Sequence, residues 1–259
     1  MCALTRHGLR LGRRRHQIVA LIAEERLTPE AKAAIHELLG DDVNISDAEI
    51  ASWADNIRRE KRATAPWHYV DIPTTQPSYD AERDGNHGNN VIDAMNRFEK
   101  VLGDKTRPKE ERAEALKYLV HFVGDVHQPL HCAERNADRG GNERLVFFLD
   151  KPKAINLHLV WDTQILLKIK GTTRILDYAL SLNAKITPEQ AAEWEKGTPE
   201  DWANESHDVA VNSVYKNVPE DGDPPKIDQV YRCEPVVELQ LERAGVRLAE
   251  ILNRAFVRR

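Results

Sequence analysis

The chain of 259 residues has little cysteine: Cys2, Cys132 and Cys233 make an odd count with no C-x-x-C spacing, so no disulfide scaffold is expected. Long apolar runs are missing too. No stretch reaches the eighteen or more apolar residues of a membrane span. The first ten residues, MCALTRHGLR, carry charges where an export signal needs an apolar stretch, so the chain as written is expected to hold no secretory signal. An excess of basic charge is also lacking. The formal charge of −5 speaks at first against a polyanion binder, an inference that weakens if the chain carries divalent metals. Aromatics make up 6 %, yet three of the five tryptophans, Trp53, Trp67 and Trp161, fall inside the segments that carry ionisable clusters. They are expected to pack those segments in place.

What is present is helical periodicity. With 41 % apolar residues the chain can bury one substantial core. In LTPEAKAAIHELLG, Thr28 reads as N-cap, Pro29 as the first helical residue and Gly40 as the stop. SDAEIASWADNIRREK reads as one helix capped by Ser46. A third helix begins near Pro108, carries Glu110 and Glu111 in its first turn, repeats Leu116, Leu119, Val120 and Val123, and ends because of Pro129. Leu157 to Leu166 and Pro235 to Ala255 read as further helices, and a short hairpin is expected around Leu145 to Leu149. The expected fold is an all-α, single-domain multi-helix bundle. Two Pro/Gly/Asp-rich loops, PTTQPSYDAERDGNHGNN and NVPEDGDPPKID, are long enough to suggest that they line a functional surface.

The stretch LVHFVGDVHQPLH sets ionisable groups into an apolar helical stripe. His121 and Asp125 are four residues apart, as are His158 and Asp162, and on a helix that spacing stacks two side chains on one face. A buried charge costs several kcal/mol unless a partner or metal compensates, so each pair reads as a two-pronged metal clamp. His131, beyond Pro129, can approach from another side. WADNIR places Asp55 and Arg58 on one helical face, and PWHYVDIP places His68 in an expected extended segment. With His16, the set has the imidazole and carboxylate mix of a multinuclear zinc site. His127 is two residues from Asp125, hence roughly 200° around the helix, and is expected to be solvated or to support a ligand rather than bind metal. His7, His36, His87 and His207 are read as ordinary.

The segments SWADNIR, APWHYVDIP, LVHFVGDVHQPLH, DRGGN, NLHLVWD, WANESH and ERAGVRLAEILN, in this order and spacing, resemble the zinc-dependent, single-strand-specific S1/P1 nucleases. These share a helical superfamily with bacterial zinc phospholipase C. The likeness runs from about Leu11 to the C-terminus, which makes 11–259 the expected nuclease domain and 1–10 an atypical segment, disordered or a misassigned start. It implies three Zn²⁺ ions: one on Asp55, His68, His121 and Asp125, a second on His131, His158 and Asp162, and a third on Asp125, His16 and the backbone of an N-terminal residue matching Leu11. It also implies hydrolysis of single-stranded DNA and RNA to 5′-phosphorylated products, with 3′ phosphates removed from nucleotides as in the family. Asp55 and Arg58 would take part in the chemistry, Arg58 holding phosphate oxygens. Tyr69 would stack on a base and Asp71 would hydrogen-bond to it. Three zinc ions would turn the formal −5 into +1, so the acidic balance would not exclude a polyanionic substrate. A secreted or periplasmic monomer, not associated with a membrane, completes the expectation.

The chain departs from the family in two places. Leu11, Gly12, Arg13, Arg14, Arg15 and His16 stand where the family has a pattern like Trp-Gly-x-x-Gly-His, and an internal Leu11 has no free amino group. Gly85 and Asn90 stand where many members have paired cysteines. Two alternatives stay open here: a zinc phospholipase C, and a zinc-binding homologue whose catalysis is lost with the N-terminal ligand.

Overall fold

The computed structural model covers the backbone of residues 4–228 and 230–256, and the side chains of all of these except 4–13, 217, 230 and 231. Cys2 and the side chains of His7 and Leu11 therefore lie outside the described residues. In chain order the helices are α1 (Leu4–Glu24), α2 (Pro29–Leu39), α3 (Ala48–Ala51), α4 (Trp53–Glu60), α5 (Ala81–Asp84), α6 (Val91–Gly103), α7 (Lys109–Val126), α8 (Leu157–Leu159), α9 (Ile165–Lys170), α10 (Ile175–Asn183), α11 (Pro188–Trp194), α12 (Pro199–Val209) and α13 (Val230–Phe256). The fold is all-α with a small sheet of β1 (Leu145–Phe148), β2 (Ile155–Asn156) and β3 (Lys226–Ile227). β1 and β2 form the expected antiparallel hairpin. β3 adds a parallel strand on the other edge of β1, with Phe147 opposite Lys226, and comes from the second long loop.

Thr28 caps α2 by accepting from the Ala31 amide at 3.2 Å, and Gly40 ends it at φ 108°. The helix expected from Ser46 is two helices instead. Ser46 is spent on α1, its amide and hydroxyl each donating to Glu24 at 2.9 Å, so Asp47 precedes α3. Ser52 separates α3 from α4, and its hydroxyl donates back to the Ala48 carbonyl. His68, expected in an extended segment, closes a 3₁₀ turn over Arg62–His68. Pro66, whose ring-restricted φ suits such a turn, lies inside it. Extended backbone begins only at Tyr69. Residues 4–10, expected as a separate N-terminal segment, are the first turns of α1. Leucine and arginine favour helix there.

Helix α7 lies at the centre, packed against α1, α2, α3, α4, α6, α12 and α13. Every residue from Tyr118 to Val126 is buried, so the second half of this helix has no solvent face. α7 stops at Val126, with His127 as cap, three residues before Pro129. Trp53 and Trp67 both meet Tyr118 edge-on, at 5.0 and 5.6 Å between centroids, and Trp161 is buried. These tryptophans pin their segments to the core. The chain between α8 and α9 widens into a π turn over Val160–Gln164, which carries Asp162. The two long loops contribute nothing to the cleft around the ionisable cluster. The first is closed internally, Asn90 Nδ2 donating to the Gly85 carbonyl at 2.8 Å where a disulfide was the family expectation. No helix among the described residues is long and apolar enough to cross a membrane.

α1 and α13 cross closely at Gly245, where an added Cβ would meet Ile22 Cγ2 at 2.3 Å. Gly245→Ala is therefore expected to lower stability by about 1–3 kcal/mol, read as a shifted urea midpoint at unchanged slope.

Candidate metal centre

The buried half of α7 presents His121 and Asp125 one turn apart, and Asp125 is the hub of the cluster. Its Oδ2 lies 2.9 Å from His68 Nδ1 and 3.3 Å from His121 Nε2. Its Oδ1 lies 3.5 Å from His16 Nε2 and 3.4 Å from His131 Nδ1. Three groups of side chains each bring ligand atoms within 4.8 Å of one another: Asp55, His68 and His121; His16, His121 and Asp125; and His131, His158 and Asp162. The structure thus assembles the eight side chains singled out from the sequence as ligands, drawn from α1, α4, α7, the turn at His68, the short 3₁₀ turn Pro129–His131, α8 and the π turn.

The histidines are oriented as metal ligands require. His121 Nδ1 donates to the Ala51 carbonyl at 2.9 Å, His131 Nδ1 to the His68 carbonyl at 2.8 Å, and His158 Nδ1 to the Gly140 carbonyl at 2.8 Å. A carbonyl can only accept, so Nδ1 carries the proton and Nε2 presents its lone pair in the neutral ring. His68 keeps a buried Nε2 with no hydrogen-bond partner. Imidazole nitrogens and carboxylate oxygens grouped this closely suit Zn²⁺. The Asp55/His68/His121/Asp125 and His131/His158/Asp162 sets therefore fit the implied ions.

The third implied position does not fit. Leu11 lies within α1, where an amide nitrogen has no lone pair to offer and its N–H belongs to the helix ladder. Arg15 instead sets its guanidinium 3.4 Å from Asp125 Oδ1 and 3.1 Å from Asp162 Oδ1. His16 stacks on His121 at 3.8 Å, and its ring fits because residue 124 is glycine: a Cβ there would stand 2.5 Å from His16 Nδ1. Arg15 showed in the sequence only as a departure from the family's N-terminal pattern, and Gly124 escaped the reading altogether, since the roles of both come from the neighbours they meet in space.

Charge within the cluster follows its burial. Burial opposes protonation of His121, but Asp125 and Asp55 outweigh it and push its pKa up to about 9. Burial drives His131 down to about 4 against the pull of Asp125. Burial would raise Asp125 and Asp162. His121 and His131 hold the first well below its usual range, and Arg15 with His131 lowers the second. The protein thus holds ionised carboxylates in its interior and compensates them with cationic neighbours.

His131, His158 and Asp162 line an open cleft of about 780 Å³ whose walls include Arg58, Tyr69, Asp71 and Arg139. Arg58 pairs with Asp55 at 3.1 Å, and Tyr69 is 39 % exposed. Partial desolvation, then Glu134 and Asp138, push Asp71 up to about 6. His127, expected to be solvated or to support a ligand, does neither. It is buried, its Nδ1 donates to the Val123 carbonyl at 2.7 Å, and its Nε2 meets Arg247 at 2.9 Å. The helical phase turns it from the cluster, and α13 covers it there.

A helical fold with three clustered His/Asp groups narrows the class, and comparison with known proteins completes it. The S1/P1 Nuclease family pattern matches residues 11–257. The chain is 33 % identical to Endonuclease 2 of Arabidopsis thaliana over 95 % of this chain and 90 % of that protein. It is 32 % identical to Nuclease P1 of Penicillium citrinum over 92 % of this chain and 95 % of that protein. The chain belongs to the S1/P1 nuclease family.

Gly140, at φ 60°, would put a Cβ 2.3 Å from the Leu130 carbonyl oxygen, and its own carbonyl orients His158. Gly140→Ala is expected to remove one metal equivalent by elemental analysis. Asp125→Ala should release more metal than His127→Ala, and equal losses would contradict the phase described here.

Proposed function

We propose that this protein is a zinc-dependent phosphodiesterase that hydrolyses single-stranded DNA and RNA to 5′-phosphorylated products and removes 3′ phosphates from nucleotides. The observation that carries this reading is the convergence of three His/Asp groups around Asp125, beside a cleft that His68, His131, His158 and Asp162 line together with Arg58 and Tyr69. Zinc, when bound, supplies Lewis acidity and activates water near neutral pH. Asp55, Asp125 and Asp162 supply the carboxylates of that centre, and the imidazoles of His68, His121, His131 and His158 hold it in one geometry. Arg58, kept in place by Asp55, can pair two phosphate oxygens through its planar fork. Tyr69 offers an exposed ring face to a base, which an unpaired strand can supply and a stacked duplex cannot. Asp71, two residues on, is placed to accept a hydrogen bond from that base. The relatives that match are named nucleases and endonucleases, which favours nucleic acid over a phospholipid in the cleft. Family membership also supports a secreted or periplasmic monomer.

A chelator is expected to abolish cleavage of single-stranded DNA and zinc to restore it, with duplex DNA and phosphatidylcholine turned over far more slowly. Bound zinc without chelator-sensitive cleavage of any of these would sink the proposal and leave a zinc-binding protein. Tyr69→Ala should raise KM on single strands by roughly tenfold, the value of about 1–3 kcal/mol for one stacked base. Asp71 is charged only above about 6, so its acceptor role weakens as pH falls through that value. The ratio of wild-type to Asp71→Asn KM should change around pH 6, and a flat ratio from pH 5 to 7 would remove Asp71 from base recognition.

A further inference from the structure

Arg15 is only 6 % exposed, and its guanidinium stands between Asp162 Oδ1 at 3.1 Å and Asp125 Oδ1 at 3.4 Å. These carboxylates belong to different ligand sets, so one side chain ties the two halves of the centre together. The same Asp125 oxygen faces His16 Nε2 at 3.5 Å. An ion bridging His16 and Asp125 would stand about 2 Å from that oxygen, which the guanidinium already contacts at 3.4 Å. Arginine stays charged across the whole range in which proteins fold, and a dication brought this close to it in a buried site is strongly repelled. α1 adds no donor to offset that repulsion, because the backbone of Leu11 is committed to the helix, and His121, the remaining ligand within reach, also serves the group with Asp55 and His68.

We propose that Arg15 is the third cation of this centre: a positioning residue that bridges Asp125 and Asp162, keeps a metal ion from the His16–Asp125 pair, and limits the protein to two zinc ions. His16 is then not a ligand but a buried ring stacked on His121 at 3.8 Å, holding that ligand's plane. The inference rests on the zinc chemistry proposed above and narrows it, since charge that a metal would otherwise supply at this position is built into the chain and survives chelation.

The test is a zinc count on the full chain, dialysed and then titrated with zinc, by elemental analysis. Wild type is expected to hold two ions, and His16→Ala also two. Arg15→Ala removes both bulk and charge and should admit a third ion at saturating zinc, whereas Arg15→Lys, which keeps the charge, should stay at two. The double variant Arg15→Ala/His16→Ala should return to two, locating the extra ion. Three ions in wild type, a loss of one ion in His16→Ala, or a count of two in folded Arg15→Ala overturns the proposal. If Arg15→Ala fails to fold, the wild-type and His16→Ala counts still decide it. The counts do not depend on cleavage: two zinc ions without turnover would defeat the nuclease reading and leave this one standing.

Discussion

The structure depends on one costly arrangement, an ionised aspartate inside a helix that has no solvent face. Asp125 is 1 % exposed, and the helix around it is buried from Tyr118 to Val126. An uncompensated carboxylate there would be intolerable, so four imidazoles and a guanidinium crowd around it within 3.5 Å. The elements that bring those groups are the ones packed against α7, and the core is assembled around the charge as much as around its apolar side chains.

That constraint explains several local oddities. Residue 124 has to be glycine because the His16 ring occupies the space of its Cβ. Gly140 takes a left-handed conformation that places its carbonyl under His158 Nδ1. The π turn widens the helix at Asp162, a position where regular geometry gives way to placement of a carboxylate beside His131. The clustered cations hold these carboxylates ionised, ready to receive metal without a prior proton loss of their own.

Much of this was legible in the chain. The four-residue spacings His121–Asp125 and His158–Asp162 identified facing pairs because helical geometry is local and its period is known. Thr28 and Gly40 marked their helix because caps act through neighbouring amides. Where the reading of local structure failed, a distant partner had claimed a side chain. Ser46 had the chemistry of a cap but is taken by Glu24 in α1, and His127, expected to be solvated or to support a ligand, is covered by Arg247 from α13. The 3₁₀ turn ending at His68 had no apolar periodicity to announce it, and its carbonyl is fixed by His131, 63 residues away.

The sequence by itself determined the helical class, the caps at Thr28 and Gly40, the facing His/Asp pairs and the family, since these follow from short-range spacing and from the order of motifs along the chain. Only the tertiary structure decided that four imidazoles converge on Asp125, that three backbone carbonyls choose the histidine tautomers, and that the Arg15 guanidinium shares an Asp125 oxygen with His16. Those contacts join residues up to 110 positions apart, and no local rule relates such residues. Their meeting is set by how α1, α4 and the turns pack on α7, a balance of burial and charge that exists only once the chain is folded.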